Sequence, residues 1–291
     1  MKGSITQIEG VTVGHWTDTI RSTGCTVVLL PRESRGGVSI SGSASATRET
    51  AVLAPGSWID EIHAVCLSGG SAFGLDSAGG VMRWLAARGI GHATRSGLVP
   101  IVPAASIYDL NRGDPSARPG PDEGEAACEA ASETFETGLV GAGVGATCGK
   151  WRGLDKAVPS GLGTACVSMA GVSVGALAVA SPIGDIVAED GSVLLGAGPG
   201  PMAVPSTPST VLVVAATNAR LDRSLCHLAA ARIQDGIARA VLPARTLHDG
   251  DVGFFVSAGP AAASPDVVFH LAAVATSAAI RSVAAGATRG G

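Results

Sequence analysis

Thr210 is the residue whose type and position most invite chemistry. It follows the loop Pro205-Ser206-Thr207-Pro208-Ser209 and opens the run Val211-Leu212-Val213-Val214-Ala215-Ala216. A hydroxyl placed there can attack the Ser209 carbonyl, and hydrolysis of the resulting ester would split the chain between Ser209 and Thr210. The new Thr210 α-amine, with a pKa of about 7.7–8.0, is partly unprotonated near neutrality and can serve as general base for its own hydroxyl. Pro205 and Pro208 stiffen the approach to the bond. Downstream, Asp249 and Asp251 flank Gly250 and could hold the amine and hydroxyl in place. The plain alternatives are that Thr210 only starts a strand and that Asp249-Gly250-Asp251 is only a turn.

Other constellations are weaker. Ser71 follows Gly69-Gly70 between a strand and a helix, as in a nucleophile elbow. That motif needs Gly two residues after the serine, and Phe73 stands there, so helix capping is the better assignment. Gly141-Ala142-Gly143-Val144-Gly145-Ala146 superficially matches a dinucleotide fingerprint, but no phosphate-facing helix follows. Gly149-Lys150 resembles the end of a P-loop, but Trp151 replaces the required Ser or Thr. Close packing of strands and turns accounts for these glycines.

The elements that would position Thr210 follow from pattern. Strands are expected at Val11–Val13, Thr26–Leu30 and His63–Leu67, with extended chain from Val99 to Asp109, glycine-punctuated strands over Leu139–Lys150 and Leu162–Ser181, then Thr210–Thr217 and Val252–Ser257. Met169-Ala170-Gly171-Val172 marks a hairpin tip. Helices are expected from Ala72 to Ala87 with Ser71 as cap, from Asp122 to about Glu136, from Asp222 to about Val241 and from about 265 to 285. In the third, Leu225, Leu228, Ala229, Ile233 and Ile237 form the apolar face. Residues 112–121 and 186–209 read as loops, and Thr288–Gly291 as a mobile tail. Strands sheathed by helices predict a layered α/β fold in a single domain over 1–291.

Composition narrows the partners. Of 291 residues, 46% are apolar, 15% are charged and 41 are glycine, which predicts a large core and an oligomer that covers part of the apolar surface. A net charge of −4 with no basic run, and only ten aromatic residues, argue against nucleic acid. Neither a signal peptide nor a membrane span is evident, so no membrane association and a cytoplasmic location are expected. The scattered cysteines (Cys25, Cys66, Cys128, Cys148, Cys166, Cys226) read as buried free thiols, and the dispersed histidines predict no metal. No cofactor is expected.

Several motifs together resemble a known family. They are Gly10–His15, Thr23–Leu29, Thr47–Thr50, Leu67–Leu75, Val99–Ala105 with Tyr108–Leu110, Val140–Ala146 with Gly149-Lys150, Gly161–Thr164, Gly184-Asp185 and Thr210–Ala219. On these motifs the chain resembles the L-aminopeptidase/D-esterase family of self-cleaving hydrolases, which includes β-peptidyl aminopeptidases and nylon-oligomer (6-aminohexanoate-oligomer) hydrolases. The resemblance implies a four-layer α/β/β/α fold of the N-terminal-nucleophile type, commonly a homotetramer of cleaved protomers. It places Thr210 at the nucleophile, Asp249 and Asp251 at the polar pair that positions it, and Lys150 and Tyr108 in the active site. Lys150 would stabilise developing negative charge. Tyr108 would hydrogen-bond at the scissile or oxyanion position.

Three positions depart from the family pattern. Ser209 stands where Asn is usual, Ser181-Pro182 where an oxyanion-hole Asn is usual, and Ala44–Ala46 where Pro-Gly is usual. Loss of one oxyanion donor costs on the order of 10²–10³ in rate; the Ser181 hydroxyl can donate a hydrogen bond but is shorter and oriented differently, so the departure implies slow processing, weak catalysis or backbone N–H groups in that role. The first expectation is a self-processing amidohydrolase or aminopeptidase acting on small peptides or peptide-like oligomers. The second is an uncleaved, weak or inactive member acting as a binding or scaffold protein, motivated by Ser181 and Ser209. The third is a serine esterase built on Ser71.

Overall fold

The central strands are apolar at consecutive positions, so both of their faces must be covered. In the computed structural model, which describes residues 3–203 and 207–287, this is what happens. Along Thr210–Ala219, Val211, Val213 and Ala215 pack with the helices α3 (Arg223–Ala240) and α4 (Pro265–Ala287), whereas Leu212, Val214 and Ala216 face a second sheet. In Gly250–Ala261, Phe255 points to the helices and Phe254 to the opposing sheet. The same two-sided burial holds across the molecule. Val28, Val65 and Leu67 meet Leu177, Val179, Leu212 and Phe254 between the sheets. On the far side, Val27, Ala64 and Cys66 pack under α1 (Ser77–Ala87) and α2 (Pro121–Glu129). The layers therefore run helix, sheet, sheet, helix.

Each sheet has five strands. The first runs Thr12–Asp18, Thr23–Leu29, Ala64–Ser68, Ala104–Ser106, Ala46–Arg48; the second runs Gly161–Met169, Val172–Ser181, Thr210–Ala219, Gly250–Ala261, Arg35–Gly42. Each contains one parallel pair, Ala64–Ser68 with Ala104–Ser106 and Thr210–Ala219 with Gly250–Ala261. The hairpin tip lies where expected: Met169 pairs with Val172 across Ala170-Gly171, both at positive φ. Two such residues match the right-handed twist of the strands they join.

Several local expectations need correction. α1 begins at Ser77, not Ala72, after a 3-10 turn over Ser71–Asp76. Ser71 is not a cap; it adopts left-handed geometry, with φ 55°, and donates its N–H to the Ile107 carbonyl. α2 stops at Glu129 because Ser132 exchanges both backbone hydrogen bonds with Val13 and forces extended chain. Within Leu139–Lys150 only Thr147–Cys148 is strand; Gly141–Gly143 forms a 3-10 turn packed on Thr26 and His15. The loop expected over 186–209 includes the short strands Asp185–Val187 and Val193–Leu195. In α3, Leu228 is 48% exposed, because Cys226, Ala229, Ile233 and Ile237 define the buried stripe and Leu228 falls outside it. α4 is long and apolar enough to cross a membrane by length and composition, which the sequence reading passed over. Its Val268, Leu271, Ala272, Ala275, Ala279 and Ile280 are instead buried on the second sheet. Pro205, Ser206 and the tail Thr288–Gly291 lie outside the described residues.

Candidate active site

Thr210 is the first residue of its strand, and neighbours on both sides fix it there. Ser181 is its antiparallel partner, while Ser209 bridges Asp249 in parallel register on the other side. The Ser209 N–H donates to the His248 carbonyl at 2.8 Å, and the Ser209 carbonyl accepts from the Gly250 N–H at 2.8 Å. The Val211 N–H donates to Asp251 Oδ1 at 2.8 Å. The bond between Ser209 and Thr210 is thus clamped on both sides, and its carbonyl already faces a hydrogen-bond donor. Ser209 and Thr210 are 1% and 2% exposed. Burial leaves the Ser209 hydroxyl with no hydrogen-bond partner among the described residues.

The clamp depends on a tight turn. Asp249 Oδ2 accepts from both the N–H and the hydroxyl of Thr246, at 2.8 Å each, and Oδ1 accepts from the Ile183 N–H at 3.2 Å. The Asp249 carbonyl accepts from the Ser43 N–H at 2.9 Å and from the Ala44 N–H at 3.3 Å. Gly250 must be glycine, since a Cβ would lie 2.4 Å from the Ala44 carbonyl carbon. The two aspartates therefore differ in place. The Asp249 carboxylate holds the turn, and the Asp251 carboxylate holds the backbone beside Thr210.

Lys150 is 2% exposed, and its Nζ donates to the Ser181 carbonyl at 3.0 Å and to Ser181 Oγ at 3.1 Å. Ser181 Oγ also accepts from the Thr147 N–H at 3.4 Å. With two donors directed at that oxygen, the hydroxyl proton of Ser181 is left to donate elsewhere. Burial lowers the Lys150 pKa to about 8, against the opposing pull of Cys148 and Asp249. Burial raises the Asp251 pKa to about 7, and the like charge of Asp249 adds to the effect. Two groups that ordinarily ionise more than six pH units apart are thus brought to about 7 and about 8 beside one peptide bond. Such perturbed pairs mark sites of proton transfer.

The structure brings Thr210, Ser209, Ser181, Lys150, Asp249 and Asp251 into one cluster. Tyr108 is half-buried beyond Ala104–Ser106, and among the described residues it forms no hydrogen bond to any member of the cluster. Its neighbour Asp109 accepts from Thr23 Oγ1 at 2.9 Å and from the Gly70 N–H at 2.6 Å. Ser71 has no histidine or carboxylate bonded to its hydroxyl among the described residues, which leaves the esterase reading without a base. The glycine of the P-loop-like Gly149-Lys150 has φ 77° and packs against Ala197, where a Cβ would lie 2.4 Å from the amide nitrogen. No group of three or more His, Cys, Asp or Glu is arranged to hold a metal among the described residues. Sequence reasoning missed the Gly250 N–H and Thr246, neither of which carries a signal in the sequence.

Four layers in the order helix, sheet, sheet, helix are the architecture of the Ntn hydrolase fold. The model for peptidase family S58 matches residues 3–289, and the chain belongs to that family. An uncharacterized aminopeptidase of Mycobacterium leprae is 38% identical over 301 residues, spanning 91% of this chain and 81% of its own length. A 6-aminohexanoate-oligomer endohydrolase of Paenarthrobacter ureafaciens is 29% identical over 272 residues, spanning 85% and 73%. The L-aminopeptidase D-Ala-esterase/amidase of Ochrobactrum anthropi, solved as a variant of the Ntn hydrolase fold, superposes with TM-score 0.76 at 19% identity over 96% of this chain and 85% of that one. The protein is an amide-bond hydrolase.

Proposed function

We propose that the chain cuts its own Ser209–Thr210 bond and then uses Thr210 as an N-terminal nucleophile on small peptides or peptide-like oligomers. The observation behind this reading is the Ser209 carbonyl held at 2.8 Å from the Gly250 N–H beside a buried hydroxyl-bearing residue. Thr210 Oγ1 attacks the Ser209 carbonyl carbon, and Asp251, with its pKa raised to about 7, takes the hydroxyl proton. Negative charge develops on an oxygen that already faces the Gly250 N–H. The carbon–nitrogen bond breaks as the Thr210 nitrogen takes up a proton, and water hydrolyses the ester. The products are a Ser209 carboxylate and a Thr210 α-amine.

In turnover the α-amine accepts the hydroxyl proton, the substrate acyl group passes to Thr210 Oγ1, the amine product leaves, and water releases the acid. Lys150 and the Ser181 hydroxyl stabilise the charge in both reactions, and Tyr108 hydrogen-bonds at the scissile or oxyanion position. The substrate class is supported by the relatives named as an aminopeptidase and a 6-aminohexanoate-oligomer endohydrolase. Assembly as a homotetramer accords with exposed apolar side chains such as Ile20, Leu242 and Leu247. A cytoplasmic location accords with six free cysteines. Intact-mass measurement tests the reading. Wild type yields fragments 1–209 and 210–291, and Thr210→Ala yields neither them nor turnover of alanine p-nitroanilide. An uncut wild-type chain without turnover would favour the scaffold reading.

A further inference from the structure

The parallel pair that begins beside the scissile bond ends in a bulge. Thr217 pairs with Ser257 and Ala219 with Ala261, so one residue, Asn218, stands opposite three, Ala258, Gly259 and Pro260. The bulge is tight at Gly259, where a Cβ would lie 2.3 Å from the Asn218 carbonyl oxygen. Its three residues form one wall of a cavity of about 160 Å³ whose other walls carry Arg32, Glu33, Arg35 and Arg220. Open α/β sheets take ligands outside the carboxyl ends of parallel strands, and these are the carboxyl ends of a parallel pair joined through α3. Thr210 lies at the other end of the same strand. Ten residues at about 3.3 Å each put roughly 30 Å between the cavity and the nucleophile.

The chain has a net charge of −4, yet three guanidinium groups meet one carboxylate around this cavity. Arg35 Nε donates to Asp60 Oδ2 at 2.6 Å, and its terminal nitrogens have no partner among the described residues. The Arg32 and Arg220 guanidinium groups have no hydrogen-bond or ion-pair partner among them. Backbone contacts hold the three together despite their repulsion. The Arg220 N–H donates to the Ala261 carbonyl at 2.9 Å. Ser34 Oγ donates to the Pro31 carbonyl at 2.7 Å, and the Ser34 carbonyl accepts from the Ile62 N–H at 2.9 Å. These bonds close the turn that carries Arg32 and keep Glu33 at φ 61°, a left-handed conformation that costs a non-glycine residue free energy. The helix α3 adds no positive end to the site, because Asp222 caps it.

We propose that this cavity binds a small oxyanion, a phosphate or carboxylate group, at a site separate from the nucleophile and independent of self-cleavage. The planar fork of arginine matches two oxygens of either group, and an anion between like charges removes their repulsion. At about 30 Å³ per water, the cavity holds about five water volumes, room for one such group. The group's source is either a phosphoryl compound or the terminal carboxylate of a peptide.

Calorimetric titration of the wild-type protein with inorganic phosphate and with N-acetylglycine tests the proposal, in chloride buffer of matched ionic strength. At least one probe should bind saturably, with one site per chain, and bind less tightly as chloride rises. The tighter probe identifies the source. Arg220→Met and Arg32→Met should each weaken binding about tenfold, and the double variant should abolish it. Both side chains are exposed, so the variants should keep the wild-type melting temperature. If one does not fold, the other decides. Lys150→Met should leave the affinity unchanged. Absence of saturable binding by both probes would overturn the proposal. So would binding that survives in the folded arginine variants, or that is lost in Lys150→Met, which would assign the anion to the active site.

Discussion

The two sheets are built alike, yet their buried carboxylates differ. Asp109 lies just beyond the parallel pair of the first sheet, and Asp251 lies on the parallel pair of the second. Burial raises the pKa of both. Asp109 is countered by two close donors, Thr23 Oγ1 and the Gly70 N–H, and it ties two turns together. Asp251 has one backbone donor, and burial, with the like charge of Asp249 added, raises it to about 7. Beside Asp109 lie the Thr23 hydroxyl and the Gly70 N–H, both donating to it; beside Asp251 lies the Ser209–Thr210 bond, its carbonyl facing the Gly250 N–H. A buried carboxylate becomes reactive through its neighbours' charges and through what lies within reach, not through burial alone.

The sharpest way to break this comparison is to neutralise Asp251. Asp251→Asn keeps an acceptor for the Val211 N–H, so the fold should persist while cleavage slows by about 10²–10⁴. Cleavage within threefold of wild type, followed by mass spectrometry, would remove Asp251 from the mechanism. The same residue makes a stability prediction. Its folded pKa of about 7 exceeds the unfolded value of 3.8, so the folded state holds a proton that the unfolded state releases. Its contribution is most favourable below the unfolded value, declines as pH rises towards 7, and is flat above. In an uncleavable Thr210→Ala background, Asp251→Asn should flatten that decline in denaturant titrations.

Lys150 sharpens the comparison with a second titration. Cleavage should rise with pH through about 7 as Asp251 ionises and fall above about 8 as Lys150 loses its proton. Lys150→Met should slow cleavage by about 10²–10³ and remove the alkaline limb. A profile flat from pH 6 to 9 would contradict both assignments.

The first sheet should respond in stability, not in chemistry. Asp109→Ala strands the Thr23 hydroxyl and the Gly70 N–H, at a cost of roughly 2–4 kcal/mol. Folded Asp109→Ala should still cleave within threefold of wild type; abolished cleavage in a folded sample would erase the distinction between the sheets. The smallest effect is expected at Ser71. Ser71→Gly relieves a left-handed backbone at φ 55° and should stabilise by up to about 1 kcal/mol, with cleavage unchanged. A lower melting temperature would show that the Ser71 side chain supplies more than it strains.

What the sequence determined by itself is whatever local pattern encodes. Apolar residues at successive positions dictate strands covered on both faces, as in Thr210–Ala219 and Val172–Ser181. Ala170-Gly171 dictates a two-residue turn, and Asp222 caps α3 through the Leu225 N–H. Thr210 at the head of its strand, behind prolines, is equally local. The tertiary structure decided what depends on distant partners. Ser132 ends α2 early because it meets Val13, more than a hundred residues away. Leu228 faces outward because the sheet selects the stripe centred on Ala229 and Ile233. No periodicity distinguishes Asp249 from Asp251; Ile183 and Thr246 claim one, and Val211 claims the other. Hydrogen bonds and charge interactions act over a few ångströms of space whatever the separation along the chain, so only the folded packing assigns the Gly250 N–H to the Ser209 carbonyl and Lys150 to Ser181.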